Sequence, residues 1–231
     1  MSPRVAVVIP AGGAGRRMGG IRKQYLELLG EPVLLHTLRP FLEHPAVTCI
    51  VVALPADDAA DPPPWLRALD PRLRLVAGGQ ERGDSVHRAL DAVPDSVDVV
   101  LVHDAARPLI TREVIDRTIR IAATGVGAVA AIPVTDTLKA VDDQAQVVAT
   151  PDRARLRRAQ TPQAFPRRLI VDAYRRAARD GVRGTDDASL VERYGGRVLV
   201  VEGSPENLKV TNPEDVIVAE ALLRARTGAA W

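Results

Sequence analysis

The segment Pro10-Ala11-Gly12-Gly13-Ala14-Gly15-Arg16-Arg17-Met18, with Lys23 just beyond it, combines glycines with fixed positive charge. Glycine lets backbone N–H groups approach a phosphate without a Cβ in the way, and arginine and lysine neutralise phosphate oxygens. The chemistry that suits this stretch is the binding of a nucleoside triphosphate. Two commoner glycine loops fit less well. A P-loop needs Gly-Lys followed by Ser or Thr, whereas Gly15 is followed by Arg16. A dinucleotide fingerprint needs a third glycine where Met18 stands, and an acidic residue at the end of the next strand, where the sequence reads Leu54-Pro55. A tight turn with solvated arginines is the alternative that the loop alone leaves open.

Further chemistry-bearing residues follow apolar runs. Gly78-Gly79-Gln80-Glu81-Arg82-Gly83-Asp84-Ser85 comes after Leu73–Ala77, and His103-Asp104-Ala105-Ala106-Arg107-Pro108 after Val97–Val102. A carboxylate at the carboxyl end of a buried strand is placed for a pocket, although a cap or turn former would look the same. His36, His44, His87 and His103 lack metal-ligand spacing, and Cys49, inside an apolar run, reads as a buried structural thiol.

The elements that position these residues can be read from periodicity. Strands are expected at Val5–Ile9, Ala46–Leu54, Leu73–Ala77, Val97–Val102, Gly127–Pro133 and Val198–Val201. Helices are expected at Val33–Glu43, near Trp65–Leu69, at Val86–Val93, from a Thr111 cap to about Thr124, at Pro166–Asp180, from Thr185 or Asp186 to Tyr194, and after an Asn212 cap with Pro213 first. Pro55–Pro64 reads as an exposed loop, Gln24–Leu29 as a short apolar segment and Thr161-Pro162-Gln163 as a turn. This strand–helix alternation predicts an α/β fold, Rossmann-like and doubly wound, with a mostly parallel sheet and one domain over residues 1–231. Residues 134–160 interrupt it: Thr137–Val141 and Val147–Thr150 flank a turn and form an inserted β-hairpin arm. An isolated two-stranded arm is marginal in water, so a second copy of the chain is the expected packing partner.

Composition narrows the class. Lys and Arg number 31 against 29 Asp and Glu, and aromatics are 3% of the chain, which argues against a nucleic-acid binder even across the arginine-dense stretch from Arg153 to Arg183. No signal peptide or membrane-length apolar run is apparent, so a cytoplasmic protein is expected.

Taken together, Pro10-Ala11-x-Gly13-x-Gly15-x-Arg17-Met18 with Lys23, Val102–Pro108, Asp136-Thr137-Leu138-Lys139, Gln160-Thr161-Pro162-Gln163, Thr185–Ser189 and Asn207-Leu208-Lys209-Val210-Thr211 resemble the 2-C-methyl-D-erythritol 4-phosphate cytidylyltransferase family over nearly the whole chain. The resemblance implies CTP and methylerythritol phosphate as substrates, magnesium as cofactor, and a homodimer joined through the arm. It implies a nucleotide pocket of Pro10, Ala11, Gly12, Gly13, Gly15, Gly79, Gln80, Ser85 and Ala105, with Arg17 and Lys23 on the triphosphate. It likewise implies an acceptor site of Asp104, Arg107, Thr137, Arg153, Thr161, Thr185 and Lys209, with Thr137 and Arg153 reaching over from the partner. The catalytic cations would then be Arg17, Lys23, Arg153 and Lys209, and Asp104 would be a metal ligand or acceptor-hydroxyl contact. The position before Lys23, usually proline in that family, is Arg22 here.

Overall fold

Val5 through Ile9 are fully buried, as a strand covered on both faces requires. The computed structural model describes residues 2–13 and 22–228. In chain order the first half runs β1 (Val5–Pro10), β2 (Glu27–Leu28), β3 (Glu31–Pro32), α1 (Val33–Leu42), β4 (Val47–Leu54), α2 (Ala56–Ala60), α3 (Pro64–Arg67), β5 (Leu73–Ala77), α4 (Arg82–Asp91) and β6 (Val99–Val102). The second half runs α5 (Arg112–Ala122), β7 (Gly127–Pro133), β8 (Ala140–Val141), β9 (Val147–Ala149), β10 (Arg157–Pro166), α6 (Arg167–Asp180), α7 (Asp187–Arg193), β11 (Val198–Glu202) and α8 (Pro213–Thr227).

Seven strands form the central sheet in the order β11-β7-β10-β6-β1-β4-β5. All neighbours pair in parallel except β10, which runs antiparallel to both β6 and β7. Alternate residues of β1 feed the two faces. Val5, Val7 and Ile9 pack with Leu34, Leu38 and Phe41 of α1 and Ile115 of α5, while Ala6 and Val8 pack with Val86 and Leu90 of α4 and Ile170 and Tyr174 of α6. Each fully buried Val, Leu or Ile side chain contributes on the order of 1.5–3 kcal/mol. The carboxyl ends of β1, β5 and β6 therefore meet at one rim of a rigid, doubly covered sheet, where the loops singled out above lie.

Several expectations need correction. Residues 157–166 form a central strand, not a turn before α6: the pairing shifts register between Ala159 and Gln163, and Pro162, which follows a cis peptide bond, sits in that break where no ladder N–H is needed. Residues 56–60 are helical rather than loop, with Asp57 and Asp58 at the positive end of the helix. Helix α4 starts at Arg82, earlier than Val86, because Glu81 and Asp84 close a capping box; the Glu81 N–H donates to Asp84 Oδ2 at 3.1 Å. Thr111 occupies the N-cap of α5 without a side-chain capping bond. Residues 27–32 form a tight hairpin turned by Leu29 and Gly30, both at positive φ (51° and 79°). The arm is a hairpin with shorter strands than expected, and Val141, Val147 and Val148 on it are exposed. Cys49 is buried, as expected.

Candidate active site

The loops expected to hold the nucleotide are packed closely at Gly12, Gly78 and Gly79. A Cβ on Gly12 would lie 3.2 Å from Ser85 Oγ, one on Gly78 2.8 Å from the same atom, and one on Gly79 2.1 Å from Asp84 Cβ. Ser85 Oγ accepts from Gly79 N–H at 3.1 Å and donates to Glu81 O at 3.1 Å, which fixes the loop against the first turn of α4. Ala11 N–H donates to Ala53 O at 2.8 Å, anchoring the start of the 11–13 loop to β4. Gly13, by contrast, meets nothing within 4 Å and is exposed. Gln80 is exposed and Ala105 buried at the same rim. The helix N-terminus of α4 adds partial positive charge there. Gly15 and Arg17 lie outside the described residues.

Lys23 begins a short 3-10 turn, and its Nζ donates to Thr211 O at 2.7 Å. Arg22 adopts φ −70°, within the range that proline fixes, and pairs with Asp58, which also accepts from Tyr25 Oη at 2.9 Å.

The residues expected on the acceptor side centre on Asp104. Its Oδ1 lies 2.8 Å from Arg82 Nε, its Oδ2 2.9 Å from Lys209 Nζ and 3.6 Å from Arg107 Nε. Burial opposes ionisation of this carboxyl, but Arg82, Lys209 and Arg107 outweigh it and hold it well below the usual carboxylate range. Arg82 also bonds Asp187 Oδ2 at 2.8 Å, and Tyr174 Oη donates to Asp187 Oδ1 at 2.6 Å. Asp187 is fully buried. Gln163 of β10 donates to Asp186 Oδ2 at 2.7 Å and accepts from Ala188 N–H at 2.8 Å, tying the start of α7 to the sheet. Arg107 donates to Asn207 O at 2.7 Å, which carries the 207–209 segment alongside.

Beneath Asp104 lies a directional chain. His103 Nε2 lies 3.1 Å from Arg107 O, an acceptor only, so Nε2 carries the proton and Nδ1 accepts from Thr161 Oγ1 at 3.1 Å. Thr161 Oγ1 in turn accepts from Asp104 N–H at 3.0 Å. Thr161 is thus buried beneath the pocket rather than on its wall. Burial lowers the His103 pKa from 6.5 to about 4, against smaller opposing contributions. The unfolded chain therefore binds more protons than the folded one between those values, and stability is expected to fall as pH drops from 6.5 toward 4, by on the order of 3 kcal/mol in all. Urea unfolding of wild type and His103→Asn across that window checks this: the variant should lack that part of the slope, and parallel profiles would contradict it.

The expected acceptor residues are only partly assembled. Asp104, Arg107 and Lys209 converge, and exposed Thr185 directly precedes the α7 cap. Thr137 and Arg153 lie on the exposed arm, where Arg153 donates to Thr135 O at 2.5 Å; neither is bonded to Asp104 or Lys209 within the described residues. The sequence reading missed Arg82, Asp187, Tyr174 and His103 as site residues. Glu81 and Asp84 stand at capping-box spacing, which places Arg82 on the first turn of α4, and His103 and Asp187 lie within runs that also carry Asp104 and Thr185.

These residues do not fit a protein-built divalent-cation site. Both Asp104 oxygens already face cations, Asp187 is enclosed by Arg82 and Tyr174, and no group of three potential ligands occurs among the described residues. A dication at Asp104 would meet three positive neighbours, so no metal is assigned to that carboxylate.

A helix N-terminus at glycine-bearing loops, beside a buried carboxylate ringed by cations at the strand ends of a doubly wound sheet, is a setting suited to nucleotide and phosphate chemistry. The family model for 2-C-methyl-D-erythritol 4-phosphate cytidylyltransferase matches residues 5–225, and the chain belongs to that family. It is 50% identical over 220 residues to the protein of that name from Symbiobacterium thermophilum, covering 95% of this chain and 92% of the relative. It is 43% identical to the one from Syntrophus aciditrophicus over 99% of both chains. Among solved structures, 4-diphosphocytidyl-2C-methyl-D-erythritol synthase from Anaerococcus prevotii aligns with TM-score 0.86 at 31% identity, over 96% of this chain and 97% of that one. The cytidylyltransferase from Thermus thermophilus aligns with TM-score 0.81 at 36% identity, over 97% of this chain and all of that one. The chain is thus an enzyme of the CTP-dependent nucleotidyltransferase class.

Proposed function

We propose a division of labour in which one set of cations holds the triphosphate and a second holds the acceptor phosphate, with the arm of a second subunit completing the site. The reaction is transfer of the cytidylyl group of CTP to 2-C-methyl-D-erythritol 4-phosphate, giving 4-diphosphocytidyl-2-C-methyl-D-erythritol and pyrophosphate, a step of non-mevalonate isoprenoid precursor synthesis. An oxygen of the acceptor phosphate attacks the α-phosphorus of CTP, and the bond from that phosphorus to the bridging oxygen of the β-phosphate breaks. A phosphate monoester carries about −1.5 to −2 charge near neutral pH, so it needs no general base. The barrier lies in bringing two anions together and in the charge that grows on the leaving pyrophosphate.

In this reading Arg17 and Lys23 take the triphosphate, the 11–13 and 78–81 loops with Ser85 the nucleotide, and Lys209 and the partner's Arg153 the acceptor phosphate. Asp104 accepts from an acceptor hydroxyl, with Thr137 of the arm and Thr185 beside it. Magnesium belongs with the triphosphate oxygens rather than with a protein cage. The observation that carries this assignment is the ion cluster at Asp104: Lys209, with its side chain 42% exposed, is the cation free to turn toward an incoming phosphate while Arg82 and Arg107 keep Asp104 ionised. The chain works as one catalytic domain carrying the 134–160 arm, in the cytoplasm. No described helix is long and apolar enough to cross a membrane.

The exposed apolar residues of the arm, and the bond of Arg153 to Thr135 within the arm, support a site shared between two subunits. Mixing the inactive variants Lys23→Ala and Arg153→Ala tests it. In a two-fold dimer each heterodimer regains one intact site, so an equal mixture that exchanges freely should recover about a quarter of wild-type activity. Absence of recovery, with heterodimers demonstrated by mass spectrometry, would contradict the sharing.

A further inference from the structure

Arg82 belongs to the same helical turn as Ser85, yet the two side chains serve opposite sides of the pocket. Ser85 packs on Gly12 and bonds Gly79, the nucleotide-side loops. Arg82 reaches the other way, its Nε to Asp104 and its Nη2 to Asp187, each at 2.8 Å. Asp187 opens α7 directly after the Thr185–Asp186 segment, and Asp186 is itself held by Gln163. The planar guanidinium thus spans three chain segments that meet nowhere in sequence: the α4 turn, the end of β6 and the start of α7.

We propose that Arg82 is a positioning residue that couples the two substrate pockets, transmitting occupancy of the nucleotide loops to Asp104 and the Thr185–Asp187 segment. The proposal rests on the reading above, in which Lys209 turns from Asp104 to the acceptor phosphate. Once Lys209 leaves, Arg107 at 3.6 Å is the more distant remaining cation, and Arg82 at 2.8 Å keeps Asp104 in place. A fork is needed for this task, since an ammonium cannot present two fixed donors to two carboxylates. A shift of the α4 turn as nucleotide phosphates settle against Gly12 and Gly79 then moves both carboxylates together. The acceptor pocket becomes competent when the nucleotide pocket is filled.

Two-substrate kinetics on the full chain test this with Arg82→Lys and the charge-matched Arg82→Gln/Asp187→Asn variant. In wild type, the KM for methylerythritol phosphate should fall as CTP rises. In Arg82→Lys that dependence should vanish, with the acceptor KM at saturating CTP raised about tenfold or more and the CTP KM changed by less than about threefold. The charge-matched variant, which removes the unpaired buried carboxylate, should recover thermal stability but not the coupling; it also carries the test should Arg82→Lys fail to fold. Unchanged coupling in either folded variant would overturn the proposal. So would a charge-matched variant that regains wild-type coupling along with its stability, since that would make Arg82 a structural ion partner only. Wild-type turnover with CTP and methylerythritol phosphate is measured first, so a wrong acceptor assignment is recognised before any variant is compared.

Discussion

Lys23→Ala should lower kcat on the order of 10²–10³-fold, as removal of one transition-state charge donor does. The Lys23 ammonium bonds Thr211 O at 2.7 Å, beside Asp215, whose carboxyl it helps hold below its usual range. The lysine is thus held at the segment that leads into α8, and the proposed role has it turn to the triphosphate. Charge on the leaving pyrophosphate grows toward the transition state, so the loss should fall mainly on kcat, with a smaller rise in the KM for CTP. Arg17, outside the described residues, carries the same expectation. Steady-state kinetics with the acceptor saturating check it, and a Lys23→Ala enzyme turning over near the wild-type rate would remove lysine from the assigned role.

Much of the scaffold around that lysine is readable in the chain. Strands β1, β5 and β7 announce themselves as short apolar runs between turn residues, and the Asn212-Pro213 pair marks the start of α8 because a cap and a proline suit those two positions alone. Asp104 is legible for a similar reason, being the first carboxylate after a buried strand. Strand β10 is hidden because its residues are polar and contain Pro162; it is a strand only through its two neighbours, β6 and β7. Helix α2 is hidden by the prolines around it. The ion network is hidden more deeply. Arg82 meets Asp104 across 22 residues and Asp187 across 105, and neither periodicity nor composition encodes a contact between side chains on separate elements. Thr161 shows the same limit from the other direction: its position in a motif does not reveal that its hydroxyl is engaged by His103 and Asp104 N–H beneath the pocket.

Discrimination between substrates should be as large as the Lys23 effect. Cytosine and uracil exchange donor and acceptor at two ring positions, so a site that hydrogen-bonds one leaves polar groups unpaired against the other, each at about 1–3 kcal/mol. Purine triphosphates differ more, in ring size as well as in hydrogen-bonding edge, and should be rejected at least as strongly. With the proposed roles of Lys209 and Asp104, ribitol 5-phosphate would offer the same phosphate to Lys209 but a different array of hydroxyls to Asp104. The most direct measurement is pyrophosphate release by the purified enzyme with CTP, UTP, ATP or GTP, each paired with methylerythritol phosphate or ribitol 5-phosphate. Efficient release is expected with CTP and methylerythritol phosphate, and a kcat/KM lower by about 10² or more for every other pair. Equal or faster release with ribitol 5-phosphate, or with another nucleotide, would contradict it.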